Sequence, residues 1–349
     1  MPKPKTIAIA GFGLVGRRHA EAINQSSDGT LSAIIDPNPA SRADAAALGV
    51  PVYCDLAALF AEGAADGIIL ATPNNLHVEQ GLFCVEKGVP VLVEKPIAAR
   101  ALDGMQLVQR SEQTGVPVLV GHHRRHNPLI HAAKATLGAG HIGTVRAVHA
   151  QCWLYKPDSY FDEAEWRKKP GAGPIAVNLV HDIDLLRHLC GEIRTVRAVA
   201  SPALRGYENE DLASALLEFE NGAIGTLSVS DSIVAPWSWE LTAKENPAYP
   251  VTSQSCYTIG GSHGSLSLPD LRVWTNGKAE RHWWSPMEVQ QLPHAPTDPL
   301  VNQIDHFASV IAGEAAPLVS AREGLRSLQV VEAIQMAVST KDVVELESI

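Results

Sequence analysis

The feature that most restricts what this chain can become is Gly11-Phe12-Gly13-Leu14-Val15-Gly16, set between an apolar run at residues 6–10 and a helical stretch at residues 17–24. Gly11 permits a tight turn, Gly13 lets backbone amides approach a pyrophosphate, and Gly16 lets helix and strand pack closely while the helix N-terminus faces the negative charge. Alone the motif is weak. It gains weight from residues 31–35, a second apolar strand that ends in Asp36, twenty positions after Gly16, where a carboxylate takes the ribose hydroxyls of an adenosine. A carboxylate there repels a 2′-phosphate, and no arginine or serine follows it directly, so NAD is favoured over NADP.

The same rhythm continues. Residues 40–48, 56–61, 77–87 and 102–114 have helical patterns, and residues 52–54, 67–71, 91–93 and 118–121 read as short apolar strands between them. This alternation predicts a doubly wound α/β sheet, in which ligands collect at the carboxyl ends of the strands. Two polar segments fall at such ends. Thr72-Pro73-Asn74-Asn75-Leu76-His77 follows the fourth strand and is placed to face a cofactor ribose, or simply to cap the next helix through Asn75. Glu94-Lys95-Pro96 follows the run Val89-Pro90-Val91-Leu92-Val93, and Pro96 biases Lys95 away from helical dihedrals, so the turn that carries the ammonium is stiff. A solvated loop lysine is the plain alternative; its setting beyond a nucleotide loop points to chemistry.

Composition narrows the field. A length of 349 residues suits two domains, and 46% hydrophobic with 19% charged residues is ordinary for a globular enzyme. The net charge of -10 and the lack of a long basic block argue against nucleic acid, and no apolar run approaches the roughly 20 residues of a membrane span. Cys54, Cys84, Cys152, Cys190 and Cys256 are odd in number and widely spaced, without a Cys-x-x-Cys pair. That is the pattern of a reduced, cytoplasmic protein without a zinc framework. The lysines before residues 7–10 resemble an export signal, but the run is broken at once by glycines and then by Arg17-Arg18.

At His122-His123-Arg124-Arg125-His126-Asn127-Pro128 the alternation stops, which sets the expected domains at residues 1–122 and 123–349. Three histidines in five residues invite a metal reading, but the positive charge around them opposes it, and no metal is expected. A basic linker beside a cofactor phosphate or carboxamide fits better. Strand-like segments then recur at residues 145–153, 196–200, 214–220, 223–230, 237–242, 255–259 and 264–268, with the hairpin signal Asn221-Gly222 between two of them. The second domain is therefore expected to be α+β with a mostly antiparallel open sheet. Its free face suggests self-association. Within it, residues 174–190 form a helical stretch on which His181, Asp184 and His188 share a face, either as a buried polar network or as the wall of a site.

Taken in order, the glycine motif, Thr72-Pro73-Asn74, Glu94-Lys95-Pro96, Gly121-His122-His123-Arg124-Arg125, Trp166-Arg167 and His181-Asp182-Ile183-Asp184 resemble the Gfo/Idh/MocA oxidoreductases over nearly the whole chain. The resemblance implies a Rossmann domain followed by an α+β domain that forms homodimers or homotetramers through its sheet. It also implies hydride transfer at a secondary alcohol of a sugar, cyclitol or related polyol. By that resemblance Lys95 contacts the reacting oxygen and His181 assists as acid or base. Gly11, Phe12, Gly13, Leu14, Val15, Gly16, Asp36, Thr72, Pro73, Asn74, His77, Glu94, Lys95, Trp166 and Arg167 fall to the cofactor. His122, Asn178 and Asp184 join Lys95 and His181 on the substrate side. Trp166-Arg167 lies on a polar segment, residues 156–169, that reads as a lid, a partner-subunit arm or a plain surface loop. The family usually carries an aspartate four residues before the histidine, and this chain has Val177 there, with Asn178 beside it. Two other functions use the same scaffold: an NAD-dependent glycosidase working through a transient ketone, and a silent NAD sensor, against which both Lys95 and His181 argue.

Overall fold

Six short apolar runs of the first half pair as one parallel sheet. They are β1 (Lys5–Ala10), β2 (Gly29–Ile35), β3 (Val52–Tyr53), β4 (Gly67–Leu70), β5 (Val91–Val93) and β6 (Val118–Val120), in the order β3-β2-β1-β4-β5-β6. Every neighbouring pair is parallel. Helices α1 (Leu14–Gln25), α2 (Pro39–Ala46), α3 (Leu56–Glu62), α4 (His77–Glu86) and α5 (Ala101–Thr114) make the crossovers. Their boundaries follow local chemistry. Asn38 and Asp55 accept the Ala40 and Ala58 N–H groups at the starts of α2 and α3, and Gly115 ends α5 in the left-handed region. Strand order reverses between β1 and β4, and this switch point opens at the carboxyl ends where a dinucleotide binds.

This is a computed structural model, describing residues 3–63 and 65–347. The chain divides into two units, Met1–Asn127 with Thr297–Leu328, and Pro128–Pro296 with Gln329–Ile349. The sequence reading placed everything after residue 122 in the second domain, whereas residues 123–127 and 297–328 cluster with the first unit. Helix Pro299–Ile311, capped by Asp298, sends Leu300, Ile304 and Phe307 into the same core as Ile7, Ile9, Ile34 and Ile69. Full burial of each such side chain contributes about 1.5–3 kcal/mol, so this distant segment is part of what holds the nucleotide fold together.

The second unit is built on nine strands: β7 (Val145–Trp153), β8 (Ile193–Ser201), β9 (Leu212–Phe219), β10 (Ile224–Ser230), β11 (Tyr257–Gly261), β12 (Gly264–Leu268), β13 (Arg272–Thr275), β14 (Glu288–Gln291) and β15 (Val344–Glu345). Their order is β14-β13-β12-β11-β7-β10-β9-β8-β15, and all pairs are antiparallel except β7 with β10. The Asn221-Gly222 turn joins β9 to β10, with Gly222 at φ 82° as a hairpin of this kind requires. One face of the sheet packs under helices α6 (Pro128–Gly138) and α9 (Leu179–Cys190), through Ile130, Ile183, Leu186, Leu217 and Leu227. On the other face Val199, Leu216 and Ile224 are exposed.

One predicted strand is corrected. Residues 237–242 read as a strand because polar and apolar residues alternate, but Trp239–Thr242 is a short helix, started by Ser238 accepting the Leu241 N–H at 3.3 Å. Trp239 is buried and stacked on Tyr257, so its bulk serves packing rather than strand formation. β13 and β14 lie beyond the last strand-like segment of the sequence, residues 264–268.

Candidate functional site

The glycine turn joins β1 to α1 in the conformation its sequence demands. Gly11 has φ 88°, where L side chains are strained, and a Cβ there would run into the backbone at Ala71. A Cβ on Gly16 would overlap the Gly11 carbonyl oxygen. Gly13 meets nothing and is exposed with Leu14 and Val15, which leaves the approach to the turn open. Helix α1 begins at Gly13 with no side-chain cap and no acid in its first turn, so its N-terminal N–H groups and positive dipole are kept for an outside anion. These are the properties a pyrophosphate site needs. Phe12 is buried beneath the Arg17 guanidinium, which lies 4.6 Å from its ring.

Asp36 closes the other side. Its Oδ2 accepts the Phe12 N–H at 2.7 Å and its Oδ1 the Asn38 N–H at 2.8 Å. Each oxygen keeps a lone pair, enough to accept from two ribose hydroxyls. The sequence reading noted no arginine directly after Asp36, but the structure brings Arg42 alongside, its Nη1 3.1 Å from the Asp36 carbonyl and 2.7 Å from that of Pro37. Helix α2 does this: one turn into it, position 42 points back over the end of β2.

Beyond β4, Thr72 bonds Gln80 at 2.7 Å, and Pro73 and Asn74 are exposed. His77 is buried, its Nδ1 2.9 Å from the Pro96 carbonyl oxygen and its Nε2 2.8 Å from that of Thr72. A neutral imidazole has one N–H to donate, so His77 bonds one of these carbonyls and faces the other, which places it between the two turns.

At the end of β5, Glu94 and Lys95 are half-buried. The Glu94 carboxylate points inward: Oε1 is 2.7 Å from Nε2 of the fully buried His19 on α1, and Oε2 accepts the Lys95 backbone N–H at 3.1 Å. Burial by itself would raise this carboxyl, but the His19 hydrogen bond and the neighbouring positive charges of His19 and Lys95 hold it at about 2. A side chain at position 121 would meet the same carboxyl at 2.9 Å, so Gly121 is the residue that leaves it room. Glu94 therefore ties the lysine turn to the helix that leaves the glycine loop. His19 was not picked out by the sequence reading; its only signal is a histidine three positions after Gly16.

His122 is buried after β6, and His123 follows in a 3-10 turn. Burial first, then the charges of Arg124 and Lys95, depress His123 to about 3 against the pull of Glu94, so it is neutral near pH 7. Among the described residues no group of three or more His, Cys, Asp or Glu side chains is placed to hold a metal ion.

In the second unit, Gly173-Pro174 opens a short helix, α8 (Pro174–Val177), that runs through Asn178 into α9. Asn178, His181 and Asp184 follow one another at three-residue spacing on one face. Asp184 is buried and His181 half-buried, while Asp182 accepts the Tyr257 hydroxyl. Asn178 Oδ1 takes the Nζ of a buried lysine, Lys156, at 2.9 Å. Trp166 and Arg167 lie on a separate 3-10 turn. Trp166 is exposed, and Arg167 is held within its own segment by the Tyr160 carbonyl and Glu163, each at 2.6 Å, with the Tyr160 ring 4.2 Å away.

Comparison with known proteins agrees with these features. Residues 5–122 match the family model "Oxidoreductase family, NAD-binding Rossmann fold", and residues 130–267 match the "GFO/IDH/MocA C-terminal domain". The chain is 27% identical over 229 residues to the rhizopine catabolism protein MocA of Rhizobium meliloti, covering 64% of this chain and 70% of that protein. It is 27% identical over 273 residues to the scyllo-inositol 2-dehydrogenase (NAD(+)) of Bacillus subtilis, covering 76% and 74%. Among solved structures, the WlbA dehydrogenase of Bordetella pertussis in complex with NADH and UDP-GlcNAcA superposes with a TM-score of 0.78 at 26% identity, over 99% of this chain and 100% of that one.

Proposed function

This chain belongs to the Gfo/Idh/MocA family of NAD-binding oxidoreductases, and from that premise we propose that it interconverts a secondary alcohol and a ketone on a sugar, cyclitol or related polyol derivative, using NAD in preference to NADP. The observation that carries this reading is the Lys95 turn at the end of β5, pinned by Glu94 to the buried His19 of the helix that starts at the glycine loop.

NAD, when bound, supplies the hydride acceptor. The chain supplies the rest. The amides after Gly13 and the dipole of α1 would hold the pyrophosphate, and Asp36 would accept from the ribose hydroxyls. Lys95 would bond the carbinol oxygen and receive or return its proton, and His181 would relay that proton onward. A hydrogen bond that holds the Lys95 backbone within its turn serves such a role, because acid/base catalysis requires the proton carrier to be in place before the barrier is reached. Self-association would use the open face on which Val199, Leu216 and Ile224 are exposed.

The test is NADH formation from NAD with a panel of inositols, aldoses, deoxy-sugars and sugar acids. Turnover of at least one member, lost in Lys95→Ala, supports the reading. Release of free sugar from glycosides without accumulation of NADH would replace it with the glycosidase, and NAD binding without turnover of any member would leave only a sensor.

A further inference from the structure

The helix that carries His181 begins beside a cluster of buried charges. Lys156, just past the end of β7, places Nζ 2.9 Å from Asn178 Oδ1 and 3.5 Å from Asp231 Oδ2. Asp231 is itself shared: its Oδ1 takes Arg205 Nη1 at 3.1 Å, and Arg205 Nη2 bonds the carbonyl oxygens of Lys156 and Asp231 at 2.7 and 2.9 Å. Arg205 also lies 3.5 Å from Asp158 Oδ1, and Lys156 Nζ lies 5.1 Å from the Tyr160 ring. Two other acids face the cluster, Glu240 and Glu210, and the Glu210 Oε1 accepts the Ile175 N–H at 3.1 Å at the start of α8. Burial pulls the Lys156 ammonium down from its ordinary range and pushes the Asp231 carboxyl up, as expected where desolvated charges lack full compensation.

Hydrogen-bond direction at this edge is settled by chemistry. An ammonium can only donate, so Asn178 must turn its carbonyl oxygen to Lys156 and its NH2 group away. Among the described residues that NH2 has no partner, and of the three N–H groups on Lys156 only two have acceptors, one of them long. The side chain of Val177, the neighbouring position, offers no acceptor. The edge therefore presents donors and a desolvated cation, three residues from His181 on the same helical face. A single polyol hydroxyl offers only one oxygen to these two donors. A carboxylate offers two oxygens that only accept, one for each donor.

We infer that Lys156 Nζ and the Asn178 amide bind a carboxylate on the substrate, so that the substrate is a sugar acid or hydroxy acid rather than a neutral polyol. The inference deepens the proposed oxidoreductase reading and rests on it for the role of the site.

The test uses the full chain with matched acid and neutral probes: D-glucuronate with D-glucose, D-galacturonate with D-galactose, and D-gluconate with D-sorbitol. Binding is read by the fluorescence of bound NADH, which needs no turnover, and activity by NADH formation. At least one acid should bind roughly tenfold or more tighter than its neutral partner, and Lys156→Met should lower that ratio by roughly tenfold or more. Asn178→Asp, which keeps the lysine and its hydrogen bond but adds a repelling carboxylate, should do the same and carries the test if Lys156→Met does not fold. Neutral members binding as well as the acids, no acid binding while NADH binds normally, or an acid preference that survives either folded variant would overturn the inference. Acid binding that depends on Lys156 without turnover of any probe would leave it standing and instead count against hydride transfer.

Discussion

Replacing Glu94 by glutamine isolates what the buried carboxylate contributes, because the amide has nearly the shape of the protonated acid and keeps an oxygen for His19. The folded carboxyl lies at about 2 against an ordinary value of 4.5, a difference that corresponds to about 3 kcal/mol of folding stability near neutral pH. The sign follows from the direction: a depressed carboxyl stabilises the fold above its unfolded value and loses that contribution as the pH falls through the folded one. At pH 3 only about 1 kcal/mol of it remains. Glu94→Gln should therefore destabilise the protein by about 3 kcal/mol at pH 7 and by about 1 kcal/mol at pH 3, measured by urea unfolding of both proteins at each pH. The lysine turn should also loosen, since Oε2 holds the Lys95 N–H, and kcat should fall with little change in NADH affinity. An equal loss at both pH values, or no loss at pH 7, would show that the charge of Glu94 is not what holds the turn.

Asp36→Ala should weaken NAD by about 1.5–3 kcal/mol, the scale of hydrogen bonds to a charged group, and narrow or reverse the preference over NADP because Arg42 remains beside the ribose end; titrating each cofactor by tryptophan fluorescence decides it, and tighter NADP binding in the unaltered protein would contradict the role given to Asp36. Gly16→Ala should cost about 1–3 kcal/mol by forcing α1 off the Gly11 carbonyl and should weaken NADH binding along with it; an unchanged thermal midpoint and affinity would mean the loop is looser than its geometry implies. His123, held near 3 in the fold against an ordinary 6.5, resists a proton that the unfolded chain accepts, so it lowers stability as the pH falls from about 6.5 towards 3. His123→Gln should flatten that decline in acid-unfolding curves.

The nucleotide-binding half was legible because its signals are local. A glycine turn, an aspartate at the end of the next strand and continuous apolar runs each follow from a few adjacent residues, and so does the Asn221-Gly222 hairpin. The site's supports were not, because their partners lie far apart in sequence: His19 meets Glu94 across 75 residues, and Lys156 meets Asn178 across 22. No periodicity marks such pairs. His77 reads as a cofactor contact from its place after β4, and its position between the Thr72 and Pro96 carbonyls is visible only in three dimensions. The helix at Trp239–Thr242 reads as a strand for a related reason, since polar and apolar residues alternate through residues 237–242 and only the Ser238 cap marks a helix start. Asn178 was recognised as the neighbour of a missing aspartate, but the lysine that fixes its polarity became visible only in three dimensions.

The most direct test of the account is Lys95→Ala, assayed for NADH affinity and for turnover of an identified substrate on the same preparation. The pyrophosphate is assigned to the glycine loop, so NADH should bind within a few-fold of the unaltered protein while kcat falls by on the order of 10²-fold or more, the scale expected when an acid/base group is removed. Undiminished turnover with intact cofactor binding would contradict the claim that chemistry is organised around this lysine.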